Sequence, residues 1–182
     1  MTSKLASLVY NVRMNTALKK APLVRFAPLM IFGLMHLGCL SLFFIAPQTS
    51  WLWLCFALYL VQMFGVTAGY HRYFSHRSFK TSRVFQFVLA FLGSLALQKG
   101  VLWWAANHRI HHRYSGQKED IHAPEHRGFW WSHIGWILTD EYDATQWSYI
   151  KDLQKYPELV WINKYHYLPA VILSVAIALT LG

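Results

Sequence analysis

Five of the ten histidines in this 182-residue chain fall in two tight groups. His71 and His76 stand in "GYHRYFSHRSFK", and His108, His111 and His112 stand in "WWAANHRIHHRYSG". Imidazole suits zinc, copper, iron and nickel alike, so the grouping points to a metal site without choosing the metal. On an α-helix, positions i, i+3 and i+4 share a face, so the second group offers its imidazoles in one direction. The first pair is five residues apart, about 140° around a straight helix. Those two converge only if the helix ends or bends between them.

The elements that must position these groups are apolar. Only 14% of residues are charged and the mean hydropathy is +0.24, against about 25% charged in a soluble domain. Pro28 to Ala46 and Trp51 to Tyr70 contain no Asp, Glu, Lys or Arg. Each is close to the ~20 residues a helix needs to cross the hydrocarbon layer. Lys4, Arg13, Lys19, Lys20 and Arg25 precede the first run, and Arg72, Arg77, Lys80 and Arg83 follow the second. The link around Pro47 to Ser50 is uncharged. This asymmetry places both basic flanks in the cytosol. The net charge of +9 therefore reads as attraction to anionic membrane lipids, and not to nucleic acid. Cys39 and Cys55 lie inside the apolar runs, where packing is the expected role and no disulfide or metal site is expected.

Between the histidine groups, Val84 to Leu97 is apolar and Gln98–Gly100 breaks it before Val101. Fourteen uncharged residues make a poor span. A single crossing would also put the two groups on opposite sides of the membrane. The stretch is therefore expected to be an interfacial helix or a re-entrant dip, turning at Gln98–Gly100. The fold class is all-α and integral to the membrane: a transmembrane hairpin, interfacial helices and a cytosolic histidine region. The chain reads as one domain over 1–182. A cytosolic lead-in (1–27), expected to include an amphipathic helix, precedes two spans (28–70), the histidine region (71–165) and the start of a third span (168–182). Lys151 to Tyr156 is expected to be helical, with Pro157 ending that helix or beginning another.

From Trp51 onward the chain resembles the membrane fatty acid desaturases of the stearoyl-desaturase type. The resemblance lies in "GYHRYFSHRSFK", "WWAANHRIHHRYSG" and "HRGFWWSHIGWIL", in family order. "YIKDLQKYPELVWINKYHYLP" resembles the bacterial acyl-lipid Δ9 branch. The resemblance implies a di-iron centre with His71, His76, His108, His111 and His112 as ligands. It implies a reaction that uses dioxygen and two electrons from a donor such as ferredoxin or cytochrome b5 to place a cis double bond in an acyl chain. An alkyl C–H has no acidic proton and no leaving group, so this chemistry belongs to a cofactor, with the protein supplying position. The resemblance also puts Trp104 and Gln98 at the acyl tunnel. The family's Arg-Asp pair before the second box, found in acyl-CoA enzymes, is replaced by Ala106 and Asn107, which favours acyl-lipid over acyl-CoA substrates.

The family's third histidine box and the ligand region before it are missing from these 182 residues. Five ligands do not saturate two irons, so the expectation is a fragment or truncated product. Two alternatives stand beside the desaturase: a related di-iron hydroxylase, and a catalytically incomplete protein that binds metal or lipid. His122, His126 and His133 are expected to support the site without binding metal, with Glu119, Asp120 and Asp143 as partners for metal-bound histidines. An Asp-Pro-His triplet of the family falls at Asp120–His122, with Ile121 in place of the proline. His36 is expected to be neutral and packed in its helix, His166 to be interfacial, and most tryptophans among Trp103, Trp130, Trp131 and Trp136 to form an interfacial belt.

Overall fold

A computed structural model describes residues 24–181, so the lead-in proposed for 1–27 lies almost wholly outside the described residues. The described residues are helical, with one isolated bridge between Val24 and Thr139. Helix α1 (Phe26–Leu40) runs into a 3-10 turn at Ser41–Phe43, and none of its residues is buried. Helix α2 (Thr49–Phe64) continues without a break as a π-helix over Gly65–Ser75. Phe26–Phe43 and the 27-residue Thr49–Ser75 are long and apolar enough to cross a membrane. A helix is the form such segments must take, because lipid offers no partner for an unpaired backbone N–H or C=O. Cys39 and Cys55 are free and exposed on these helices. Cys55 faces Ser174 and Ile177 across a groove.

Helix α3 (Arg83–Ser94) starts at Ser82, whose hydroxyl accepts the Phe85 N–H at 3.2 Å. At twelve residues it is too short to span. The chain then reverses through 95–100, where Leu97 and Lys99 take φ of 53° and 62°. Helix α4 (Val101–Tyr114) returns from this break and carries the second histidine group. The turn thus falls where Gln98–Gly100 placed it, beginning a few residues earlier.

A one-turn helix, α5 (Pro124–Arg127), and a π turn at Trp131–Gly135 form the outer loop. Residues 151–155 are turns, so the helix expected over Lys151–Tyr156 is absent; Pro157 instead opens α6 (Pro157–Lys164). Proline suits the first helical position because the N–H it lacks would have no partner there. Helix α7 (Leu168–Leu181) is uncharged and bends 63° from α6. Tyr70, Phe74, Leu89, Leu102, Leu153 and Ile162 form the fully buried centre, where the π segment, α3, α4 and α6 meet.

Asn163 of α6 caps α4. Its Oδ1 accepts the N–H groups of Leu102 and Trp103, both at 2.9 Å, and its Nδ2 donates to Thr145 Oγ1 at 3.2 Å. A Cβ on Gly100 would lie 2.3 Å from that Oδ1, so only glycine lets the cap approach. Asn163→Ala will leave two N–H groups of the first turn unpaired, at a cost of about 1–3 kcal/mol. The check is the midpoint of thermal or detergent unfolding followed by circular dichroism; an unchanged midpoint would contradict the cap.

Candidate metal centre

The first histidine pair converges where its helix ends, with His76 at the cap just past Ser75, and a wider winding brings the two together. Gly65–Ser75 is a π-helix, and the His76 N–H bonds the His71 carbonyl at 3.1 Å, an i to i+5 turn. That widening puts residues five apart on one face. The π segment lies tight against α3. A Cβ on Gly65 would come within 2.4 Å of the Leu92 carbonyl carbon, and one on Gly69 within 3.0 Å of the Leu89 oxygen.

Helix α4 presents His108 and His112 to that pair. The ligand atoms of His71, His76, His108 and His112 all lie within 4.8 Å of one another. His76 Nε2 is 3.2 Å from His71 Nε2 and 3.0 Å from His108 Nε2. With metal–nitrogen bonds of about 2.0–2.1 Å, nitrogens sharing one ion sit ~3.3 Å apart in a tetrahedral arrangement. The donor set and spacing therefore fit a transition metal.

The electrostatics favour the form that binds metal. Burial and the surrounding His112, His71, His76 and His111 push His108 down to about 3 from 6.5. Burial and the neighbouring His71, His112 and Arg109 lower His76 as well. Both imidazoles are thus neutral near pH 7, with a lone pair free for a cation.

His111 does not join these four. It turns to Asp120, with Nδ1 at 2.9 Å from Asp120 Oδ1, and stacks on His122 at 4.1 Å and 29°. Asp120 is only 4% exposed and also accepts the N–H groups of His122 and Gly116, both at 3.2 Å. Burial raises the Asp120 pKa, but these hydrogen bonds outweigh it and hold the carboxyl below its ordinary value. The ligand atoms of His111, Asp120 and His122 also lie within 4.8 Å of one another. Stacked imidazoles direct their in-plane lone pairs side by side, so the two rings do not aim at one ion. The arrangement is a carboxylate fixing a histidine through Nδ1, which leaves His111 Nε2 as its outward donor.

Of the three acidic partners expected, only Asp120 reaches a histidine. Asp143 instead binds Lys99 at 2.7 Å and also Arg25, and no hydrogen bond or ion pair of Glu119 is seen among the described residues. Trp104 stacks on His108 at 4.7 Å and 20°, and its Nε1 donates to Gln98 Oε1 at 3.3 Å. The two residues assigned to the acyl tunnel therefore touch each other beside the four histidines. Trp103 and Trp136 depart from the interfacial belt: they stack on each other at 5.5 Å and 8°, and Trp103 is buried. His126 bonds the Gly116 carbonyl at 3.1 Å, and His133 stacks on Phe129. His36 is exposed among the described residues, and its Nδ1 lies 2.8 Å from the Phe32 carbonyl of its own helix. His166 Nδ1 lies 3.2 Å from the Asn163 carbonyl.

Sequence reasoning missed Arg109. It lies inside the second box, and its guanidinium bonds the carbonyls of Phe74, Ser75 and Tyr149 and the carboxylate of Asp152. The signal available was its place between His108 and His111, flanked on both sides by the residues whose spacing drew attention.

The fatty acid desaturase family model matches residues 47–182, which include both histidine groups. The chain belongs to the fatty acid desaturase family. It is 40% identical over 118 residues to an acyl-CoA C20 Delta5-desaturase of Anemone leveillei, covering 63% of this chain and 36% of that protein. It is 35% identical over 156 residues to an sn-1 stearoyl-lipid 9-desaturase of Anabaena variabilis, covering 84% and 57%. It is 34% identical over 160 residues to the human stearoyl-CoA desaturase, covering 84% and 44%. The chain spans about half the length of the curated relatives it matches, or less. These desaturases differ in acyl carrier and double-bond position. The all-helical architecture with two membrane-length helices is in keeping with a membrane-bound family.

Proposed function

We propose that this chain is the part of a fatty acyl desaturase that holds one metal position completely and begins a second. The convergence of His71, His76, His108 and His112 carries the reading. The metals are two iron ions, the first held by those four residues and the second by His111 Nε2 with ligands beyond the described residues. When bound, iron supplies the oxidising chemistry with dioxygen and two electrons from a donor such as ferredoxin or cytochrome b5. The protein's own contribution is position. Asp120 sets the ring of His111, and the low pKa of His108 keeps its lone pair free. Trp104, stacked on His108 and bonded to Gln98, forms the wall against which the acyl chain lies.

The whole chain forms one desaturase domain in this reading. Residues 28–70 cross the membrane twice, 71–165 lie at its cytosolic face, and α7 enters it as a third span. The contact between the two histidine groups supports their placement on one side. So does Asp143, which joins Arg25 before the first span to Lys99 in the break. The substrate is an acyl-lipid: Ala106 and Asn107 are both buried where acyl-CoA enzymes carry a charged pair. The product is a cis-Δ9 chain, a reading that rests on the resemblance of 149–169 to the acyl-lipid Δ9 branch.

The test is lipid analysis of a host that cannot make unsaturated fatty acids, expressing the gene in its genomic reading frame with iron supplied. Cis-Δ9 chains in membrane lipids are expected. Hydroxylated chains would replace the desaturase with the related hydroxylase, and iron retained without either product would favour a non-catalytic binding protein. Trp104→Ala in the same host is expected to shift chain-length or double-bond selectivity, and unchanged selectivity would remove Trp104 from the tunnel.

A further inference from the structure

Arg109 uses all five of its N–H donors. Nε donates to the Ser75 carbonyl at 3.1 Å, and Nη2 to the Phe74 carbonyl at 2.7 Å and Asp152 Oδ2 at 3.1 Å. Nη1 donates to the Tyr149 carbonyl at 2.8 Å and Asp152 Oδ1 at 2.7 Å. Phe74 and Ser75 close the last turn of the π segment, where helix carbonyls have no N–H of their own helix to accept from. His76 is the next residue. It stands past the end of its helix and is exposed, yet its Nε2 sits within 3.2 Å of both His71 and His108. A side chain at a helix end keeps such a position only if the backbone beneath it is held.

We propose that Arg109 is a positioning residue of the metal centre, a clamp that fixes His76 against His108. Arg109 follows His108 directly in α4, so the second box grips the backbone of the first at the point where their imidazoles must meet. The guanidinium is planar and permanently charged, and its forked donors reach carbonyls on two sides while a carboxylate holds the far edge. Asp152 aligns the fork. The pair Arg109–Asp152 is half open to solvent, with side chains 21% and 41% exposed, so its own ion-pair energy is small. Its effect is on direction. Lysine has three donors on a single point and cannot reproduce the fork.

The inference rests on the four-histidine metal reading and is tested beside it. The full chain is purified in detergent as wild type, Arg109→Lys and Asp152→Asn, and titrated with cobalt(II). The readouts are cobalt affinity, the visible ligand-field spectrum at saturation and the helical circular dichroism. Partners that orient metal-bound residues are worth about 10–100-fold in metal affinity. Arg109→Lys is expected to lose that much and to change the spectrum, with helix content unchanged. Asp152→Asn is expected to lose less, because the three carbonyl bonds remain. Wild-type affinity and spectrum in Arg109→Lys would overturn the clamp, as would a loss of cobalt matched by an equal loss of helix. If Arg109→Lys does not fold, Asp152→Asn decides: an altered spectrum supports the clamp and a wild-type one overturns it. Failure of the wild type to bind cobalt would instead overturn the metal centre and the clamp together.

Discussion

Alanine at position 108 will abolish metal retention by the chain. His108 is one of the four converging histidines, and through it α4 packs against the first pair. Its ring lies 4.7 Å from that of His71, 5.0 Å from His76 and 4.5 Å from His112. Removing an outer partner of a metal-bound histidine costs about 10–100-fold in affinity, so removing a ligand itself will cost more than ~100-fold. Trp104 would also lose the ring it stacks on. His111→Ala supplies the contrast, because His111 faces Asp120 and lies outside the four. It is expected to leave the first metal in place. The measurement is the ratio of metal to protein by elemental analysis after exhaustive dialysis. Equal retention by wild type and His108→Ala would end the four-histidine reading.

Gly65→Ala will be among the most damaging single-methyl additions in the chain. The added Cβ would lie 2.4 Å from the Leu92 carbonyl carbon and 2.5 Å from the Gly93 nitrogen. Both are backbone atoms, so no side chain can swing aside and the π segment must back away from α3. Overpacking costs typically 1–3 kcal/mol, and contact with backbone puts this substitution near about 3 kcal/mol. The displaced segment carries His71 and His76, so cobalt affinity falls with stability. Gly33→Ala and Gly38→Ala are the controls: a Cβ at either meets nothing within 4 Å, and both should unfold as wild type does. The midpoint of thermal unfolding by circular dichroism decides. A wild-type midpoint for Gly65→Ala would show that the close approach is not there.

Much of this was legible in residue type and spacing. Uncharged runs located the two membrane-length helices, because crossing lipid is a demand on composition. The demand that both boxes face one site located the break before α4. The i, i+4 spacing of His108 and His112, and of Trp104 and His108, put those rings on one face. What was not legible depends on contacts between distant segments. The π-helix leaves no periodic signature; it shows only where glycines 65 and 69 lie flat against α3. His111 shares the helical face of His108 and His112 by spacing, yet Asp120 draws it aside. Tryptophans near a membrane surface read as a belt, and only folding shows Trp103 paired with Trp136. Arg109 resembles any basic residue in a basic stretch until the carbonyls it holds are seen.

The eleven-residue π segment makes the distance between His71 and the first span a counted quantity. An α-helix advances 100° per residue, and a π turn absorbs one residue more than an α turn for the same revolution. Deleting one residue of Gly65–Tyr70 would let the segment relax to the commoner helix, with His71 and His76 still five residues apart. His76 would then leave the face of His71, even with all four histidines still present. Alignments of natural variants are therefore expected to show no length change between Gly65 and His71, and length changes found there would remove this dependence on the count.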